Sequence, residues 1–231
     1  LLLLLLQLAV FARAIADRLQ GAGQGETIGL HLVGRSALPQ LLKLYFEFAV
    51  AGDHHLPRRI EIDRLGHLAT AVHGMAAWWG VNISTVLDVG AGMGMWRDWS
   101  REHHTEVRVR STDVSLHACA TWGHELRDIA TWRPRTRFDL VVCHSVLQYI
   151  SDEALPKAVA SLVAATGAVL YLEVPTERDM REVVDPARTD LRVYLRSGDH
   201  YRTLLSKHLQ QAGAGLWVRP DVVPLYELEG A

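Results

Sequence analysis

The chain has 231 residues, 49% of them hydrophobic, which is enough for one domain with a sizeable core and a small appendage and excludes a disordered chain. Lys and Arg total 24 against 26 Asp and Glu, a formal charge of −2, so no basic excess exists to grip a polyanion and a small-molecule partner is expected instead of nucleic acid. Cys119 and Cys143 lack CxxC spacing and point to reduced thiols in the cytoplasm; the 12 histidines form no HExxH set, so no metal site is expected.

The N-terminal stretch LLLLLLQLAVFARAIADRLQ opens without Met and without a basic n-region. Its first residue is therefore not expected to be the native start, and a signal peptide is not supported. Gln7 and Arg13 interrupt it short of the ~20 apolar residues that a membrane span needs. A docked helix is expected, able to serve as a homodimer contact. Two more helical stretches follow, at 37–51 and 60–79. In the last, Ile62, Leu65, Leu68, Ala69, Val72, Met75, Ala76 and Trp79 share one face, and Gly80 should end it. Residues 1–80 are thus expected as a helical region and 81–231 as the main domain.

From Asn82 onward, short β-branched runs alternate with amphipathic segments, the pattern of a parallel sheet with crossover helices. Strands are expected near 84–89, 106–112, 124–127, 138–143 and 168–174. Helices are expected near 94–104, 115–121, 152–165 and 199–213. Ser151 should cap the third of these helices, with Asp152 and Glu153 in its first turn. GLWVRPDVVPLYELEG reads as a closing hairpin turned at Pro220-Asp221.

The chemistry concentrates around VLDVGAGMGMW, residues 86–96. A dinucleotide loop has GxGxxG, whereas Gly90, Ala91, Gly92 and Gly94 here form GxGxG and Met95 stands where the other pattern is completed. Asp88, two residues before the first glycine, would repel a pyrophosphate and suits a cationic ligand or the orientation of the turn. Asp113, in STDVS, closes the next strand, where a carboxylate accepts hydrogen bonds from both hydroxyls of a ribose. Asp128, in HELRDIATW, ends the weak third strand, where it can bind an adenine amino group with Ile129 packing beside it. Each has a plainer use: turn glycines can be purely structural, and Asp113 and Asp128 can be helix caps. The tryptophans at 78, 79, 96, 99, 122 and 132 read as core or interface anchors.

In this order VLDVGAGMG, STDVS, RDIATW, FDLVVCHSVLQYISD and GAVLYLEVP resemble the class I S-adenosylmethionine-dependent methyltransferases, among them the small-molecule group, over about Val86 to Glu229. The resemblance implies an α/β, Rossmann-like fold with a seven-stranded, mostly parallel sheet in the order 3-2-1-4-5-7-6 beside the N-terminal helical region. It implies S-adenosylmethionine as cofactor, lying across the carboxyl ends of the first strands. Gly90, Ala91, Gly92 and Gly94 would approach its methionine and ribose, Asp113 and Val114 its ribose, Asp128 and Ile129 its adenine, and Cys143 and His144 its amino group. The segment between STDVS and RDIATW leaves room only for an abbreviated second helix.

His144 is the titratable group expected nearest the reacting methyl, with Tyr149 as a second catalytic candidate; Glu173, His200 and Tyr201 are also expected within reach of an acceptor. A purely packing or solvated role for His144 is the competing reading. HSVLQY replaces the Asn/Asp-Pro-Pro-aromatic stretch of nucleobase amino methyltransferases, which disfavours base methylation, and no magnesium-binding carboxylate set can be assembled. An enzyme methylating O or N of a small molecule, such as a natural-product intermediate, is therefore expected. The N-terminal region would form a lid with Tyr45, Phe46, Phe48, Trp78 and Trp79 lining the acceptor pocket. A catalytically silent binding module and a nicotinamide oxidoreductase are the alternatives, opposed by the intact acids and by the GxGxG spacing respectively.

Overall fold

The computed structural model describes residues 58–187 and 189–230, with side chains from Leu65 onward. The expected helices at 1–20 and 37–51, and the aromatic residues 45, 46 and 48, lie outside the described residues. Helix α1 spans Arg58–Trp78, and its expected stripe is buried at Leu65, Ala69, Val72 and Ala76 while Met75 is exposed. The following chain reverses at Gly80, whose φ of 76° is left-handed and whose N–H donates to the Ala77 carbonyl at 3.0 Å.

Strand β1 (Thr85–Val89), α2 (Met95–His103), β2 (Arg108–Asp113), α3 (Leu116–Trp122) and β3 (Glu125–Leu126) build the first half. Next come β4 (Phe138–His144), α4 (Leu155–Ala165), β5 (Thr166–Glu173), α5 (Glu177–Glu182), α6 (Gly198–Leu205), β6 (Gln210–Gly213) and β7 (Leu216–Val218). One sheet results, in the order β3-β2-β1-β4-β5-β7-β6, as the resemblance implies. Pairing is parallel from β3 through β5 and antiparallel where β7 joins β5 and β6 joins β7.

The central strands are buried on both faces, which is why VLDV, LVVC and AVLYL read as nearly continuous apolar runs. On one face α1 and α2 pack Leu65, Ala69, Val72, Trp96 and Trp99 against Val86, Leu140 and Val142. On the other, α4 and α6 pack Leu155, Leu162, Tyr201 and Leu205 against Leu87, Val141 and Leu170. Asp139 ties the lower ends of β1 and β4 together: its Oδ2 accepts the backbone and hydroxyl protons of both Ser84 and Thr85 at 2.8–2.9 Å. The two strands at the centre of the sheet are thereby held in register.

Three local expectations need correction. Helix α4 starts at Leu155, with Pro156 in its first turn, where the N–H that proline lacks would have no intrahelical acceptor. Ser151 instead heads the preceding turn, its carbonyl accepting the N–H of Ala154 and Leu155, and Asp152 pairs with Arg196. The last helix stops at Leu205, since the chain from Gln210 turns back as β6. That hairpin reverses at Gly213, Ala214 and Gly215, all at positive φ (84°, 49° and 78°), not at Pro220-Asp221. The seven-residue α3 is the abbreviated helix expected, capped by Ser115, whose Oγ accepts the Ala118 N–H at 3.2 Å, and closed by the left-handed Gly123.

Candidate active site at the carboxyl edge of the sheet

The chain builds β1, β2 and β3 outward and then returns to the other side of β1 for β4, so the strand order reverses between β1 and β4. Connections on the two sides leave a crevice at the carboxyl ends of these strands, the usual ligand position in an open α/β sheet. The glycine loop 90–94 springs from β1 into that crevice. Gly90, Gly92 and Gly94 have φ of 67°, 54° and 75°, a region that residues with a Cβ enter at a cost. The reasons differ along the loop. A Cβ on Gly90 would lie 2.3 Å from Val146 Cγ2, and one on Gly94 2.7 Å from Arg97 Nη2, whereas one on Gly92 would meet nothing within 4 Å. Gly92 therefore borders open space.

Asp88 lies beneath this loop, 2% exposed, with Oδ2 buried and without a hydrogen-bond partner. Burial pushes its carboxyl up to about 7; the nearby His144 and Arg97 oppose the rise, and Asp113 adds to it. A buried acid with an unpaired oxygen is expensive for the fold to keep, and such groups are usual where a ligand completes the pairing. Asp113, at the end of β2, uses Oδ2 to accept the Gly92 N–H at 2.9 Å and Oδ1 to accept the Ser115 N–H at 2.8 Å. Val114 after it is 67% exposed, a solvent-facing apolar surface beside the acid. Asp128 follows β3, and its Oδ1 accepts the Ala130 N–H at 2.8 Å. The Ile129 side chain does not line the crevice, being buried in the core with Leu87 and Phe138.

Cys143 and His144 end β4, alongside Leu172 and Glu173 of β5. Cys143 is fully buried, and that burial raises its thiol far above the ordinary range. His144 Nε2 lies 3.3 Å from Glu173 Oε1, and its Nδ1 accepts the Trp96 indole N–H at 3.4 Å. Glu173 Oε2 accepts the Tyr171 hydroxyl proton at 2.8 Å. The hydrogen bond from His144 is the main influence holding the Glu173 carboxyl below its ordinary value. Ser145, immediately after His144, sits at φ 57° with its N–H bonded to the Glu173 carbonyl at 2.8 Å, so the rim of the crevice is held in an uncommon backbone conformation.

Tyr149 belongs to a 3₁₀ turn, Leu147–Tyr149, and is 52% exposed, with Gln148 and Asp190 as its hydroxyl's electrostatic neighbours. The structure therefore groups His144 with Glu173, Tyr171 and Trp96 and leaves Tyr149 apart from them. Tyr201 turns inward, 4% exposed and bonded to Arg196.

Four buried polar positions around the site carry no signal in the sequence. Arg97, Ser111 and His124 form a buried polar layer under the glycine loop. Arg196, 6% exposed, donates to the carbonyls of Leu147 and Ile150, to Asp152 and to the Tyr201 hydroxyl, joining the segment after β4 to the one before α6. Apart from Tyr201, the partners named for these groups stand 13 to 49 residues away, so no local pattern reveals them.

No protein-family model matches the chain, and no curated protein does. Solved structures share its fold at low identity. The plantazolicin methyltransferase BpumL in complex with S-adenosylhomocysteine is 13% identical, aligned over 74% of this chain and 70% of its own, with a TM-score of 0.54. A S-adenosylmethionine-dependent methyltransferase from Clostridium acetobutylicum ATCC 824 is 10% identical over 78% of this chain and 98% of its own, with a TM-score of 0.52. The chain thus shares its Rossmann-like fold with these S-adenosylmethionine-dependent methyltransferases, its strands in the order that the resemblance implies.

Proposed function

We propose that this protein is a S-adenosylmethionine-dependent methyltransferase acting on O or N of a small molecule, a natural-product intermediate being the favoured class. The observation that carries the reading is Asp88: a buried acid with an unpartnered Oδ2, at the strand-order reversal, beneath a glycine loop whose middle residue borders open space. Asp88 with the backbone of Cys143 and His144 would receive the donor's ammonium. Gly90, Ala91, Gly92 and Gly94 would let the chain approach its methionine and ribose. Asp113, whose carboxylate keeps lone pairs beyond those given to Gly92 and Ser115, would accept the ribose hydroxyls beside Val114. Asp128 and the backbone of Ile129 would meet the adenine.

The donor supplies a methyl on a sulfonium. Its transfer breaks the S–CH₃ bond and forms the acceptor–CH₃ bond in one in-line displacement, so the protein's task is alignment and exclusion of water. His144 is placed for the acceptor's proton. Its Nε2–H points to Glu173, leaving Nδ1 as the basic nitrogen, and the 3.4 Å bond from Trp96 is long enough to yield to a stronger partner. Glu173, kept ionised by His144 and Tyr171, would then stabilise the imidazolium. Tyr149 stands outside this group, exposed on the turn after β4, and would meet the acceptor from there as a second polar group. A role for the N-terminal helical region as acceptor lid or homodimer contact, and a cytoplasmic location, complete the proposal.

A structure with S-adenosylhomocysteine tests it. The ligand's ammonium is expected at Asp88 and its ribose at Asp113; a ligand bound elsewhere, or none at millimolar concentration, overturns the reading.

A further inference from the structure

We infer that His124 is a positioning residue for the donor site, fixing the Gly92 peptide from below; the inference rests on the donor reading above. Gly92 is the loop residue that packing does not hold, since the space over its Cα is open and its φ is 54°. Two polar ties fix it instead. Its N–H donates to Asp113 Oδ2 at 2.9 Å, and its carbonyl lies 3.0 Å from His124 Nε2.

The tautomer of His124 follows from its partners. A carbonyl oxygen only accepts, so Nε2 carries the proton and donates it to Gly92. Nδ1 is then an acceptor and takes the Ser111 hydroxyl proton at 2.8 Å. Arg97 reinforces the choice: its Nη1 stands 3.5 Å from Nδ1, and a guanidinium has only protons to offer. The ring is 7% exposed, so water does not substitute for any of these partners. Ser111 from β2, Arg97 from α2 and His124 at the entry to β3 thus converge to present one N–H to one carbonyl. The effect is preorganisation: the peptide that would face the donor is set before the donor arrives.

Three variants test this. His124→Leu fills the ring's space without a donor, His124→Gln keeps an N–H near the place of Nε2, and Ser111→Ala removes the 2.8 Å hydrogen bond that holds the ring at Nδ1. Calorimetry with S-adenosylhomocysteine should show about tenfold weaker binding for His124→Leu, the worth of one hydrogen bond, and a loss of about threefold or less for His124→Gln. Amide hydrogen exchange at Gly92 in the ligand-free protein should quicken in His124→Leu and recover in His124→Gln. Equal affinity loss in both His124 variants, tracking only their fall in Tm, would make the ring merely structural and overturn the inference, as would unchanged Gly92 exchange in His124→Leu. If that variant does not fold, faster Gly92 exchange in Ser111→Ala supports the role, and exchange that is unchanged there rejects it. Absence of S-adenosylhomocysteine binding to the wild-type protein would refute the donor reading instead, and the exchange measurement would still decide whether His124 fixes the loop.

Discussion

His144 Nε2 stands 3.3 Å from Glu173 Oε1 across two neighbouring parallel strands, a pairing set by their register. The carboxylate is itself anchored by Tyr171, so the imidazole is oriented by a fixed partner rather than a mobile one. His144→Ala should lower turnover of S-adenosylmethionine, measured with a cell extract as acceptor source, by about 100-fold while changing S-adenosylhomocysteine affinity about threefold or less. Glu173→Gln should lower turnover less, since the base remains and only its orienting charge is lost. Unchanged turnover in His144→Ala removes His144 from the mechanism.

Asp88 and His73 oppose each other over one pH range. The Asp88 carboxyl is raised from 3.8 to about 7, so the folded state binds the extra proton between these values and this group's contribution falls as pH rises through them. His73, stacked on His104, is lowered by burial from 6.5 to about 4; its contribution is present above 6.5 and lost as pH falls toward 4. Denaturant titrations should therefore show a shallow pH dependence in the wild type. Asp88→Asn should be more stable than wild type at pH 8 and should lose stability steadily on acidification. A wild-type and Asp88→Asn pair with parallel pH profiles would contradict the assignment.

The glycines of the loop should separate stability from binding. In Gly90→Ala the new methyl would overlap Val146 and the φ of 67° would be strained, a combined loss of about 2–4 kcal/mol. Adding Val146→Ala should recover the overlap and leave the ~1–2 kcal/mol backbone part. Gly92→Ala meets no neighbour and should lose only that backbone part, yet its methyl would enter the space proposed for the donor. Its S-adenosylhomocysteine affinity should fall by about tenfold or more, measured beside the denaturation curves.

Arg196 should matter more than its ion pair. Asp152 is 77% exposed, so Asp152→Ala should destabilise by less than about 1 kcal/mol. Arg196→Met keeps the aliphatic stem but strips the donors from the buried Leu147 carbonyl and the half-buried Ile150 carbonyl, and should lose about 2–4 kcal/mol. Equal effects of the two substitutions in denaturant would refute this division.

The parts legible in the sequence were those governed by local pattern. β-branched runs between amphipathic segments gave the strands of the parallel half within a few residues, and the glycine loop and Asp113 stand at the carboxyl ends of β1 and β2 as the motifs imply. Errors arose where two local signals competed: Ser151 looked like a cap, but Pro156 fixed the start of α4, and Pro220-Asp221 looked like a turn, but Gly213 and Gly215 took the positive φ that the hairpin needs. Pairings that depend on the closed sheet, such as His124 with Gly92 or Arg196 with Leu147, carry no local periodicity to read.

The central claim, that the glycine loop and the acids of β1 and β2 hold a sulfonium donor rather than a dinucleotide, is tested most directly by calorimetric titration of the wild-type protein with S-adenosylhomocysteine and, separately, with NAD(H). One-site binding of S-adenosylhomocysteine that weakens as pH falls below about 7, where the folded protein's Asp88 protonates, with no heat from NAD(H), is the predicted result. Binding of NAD(H) without S-adenosylhomocysteine would contradict the account.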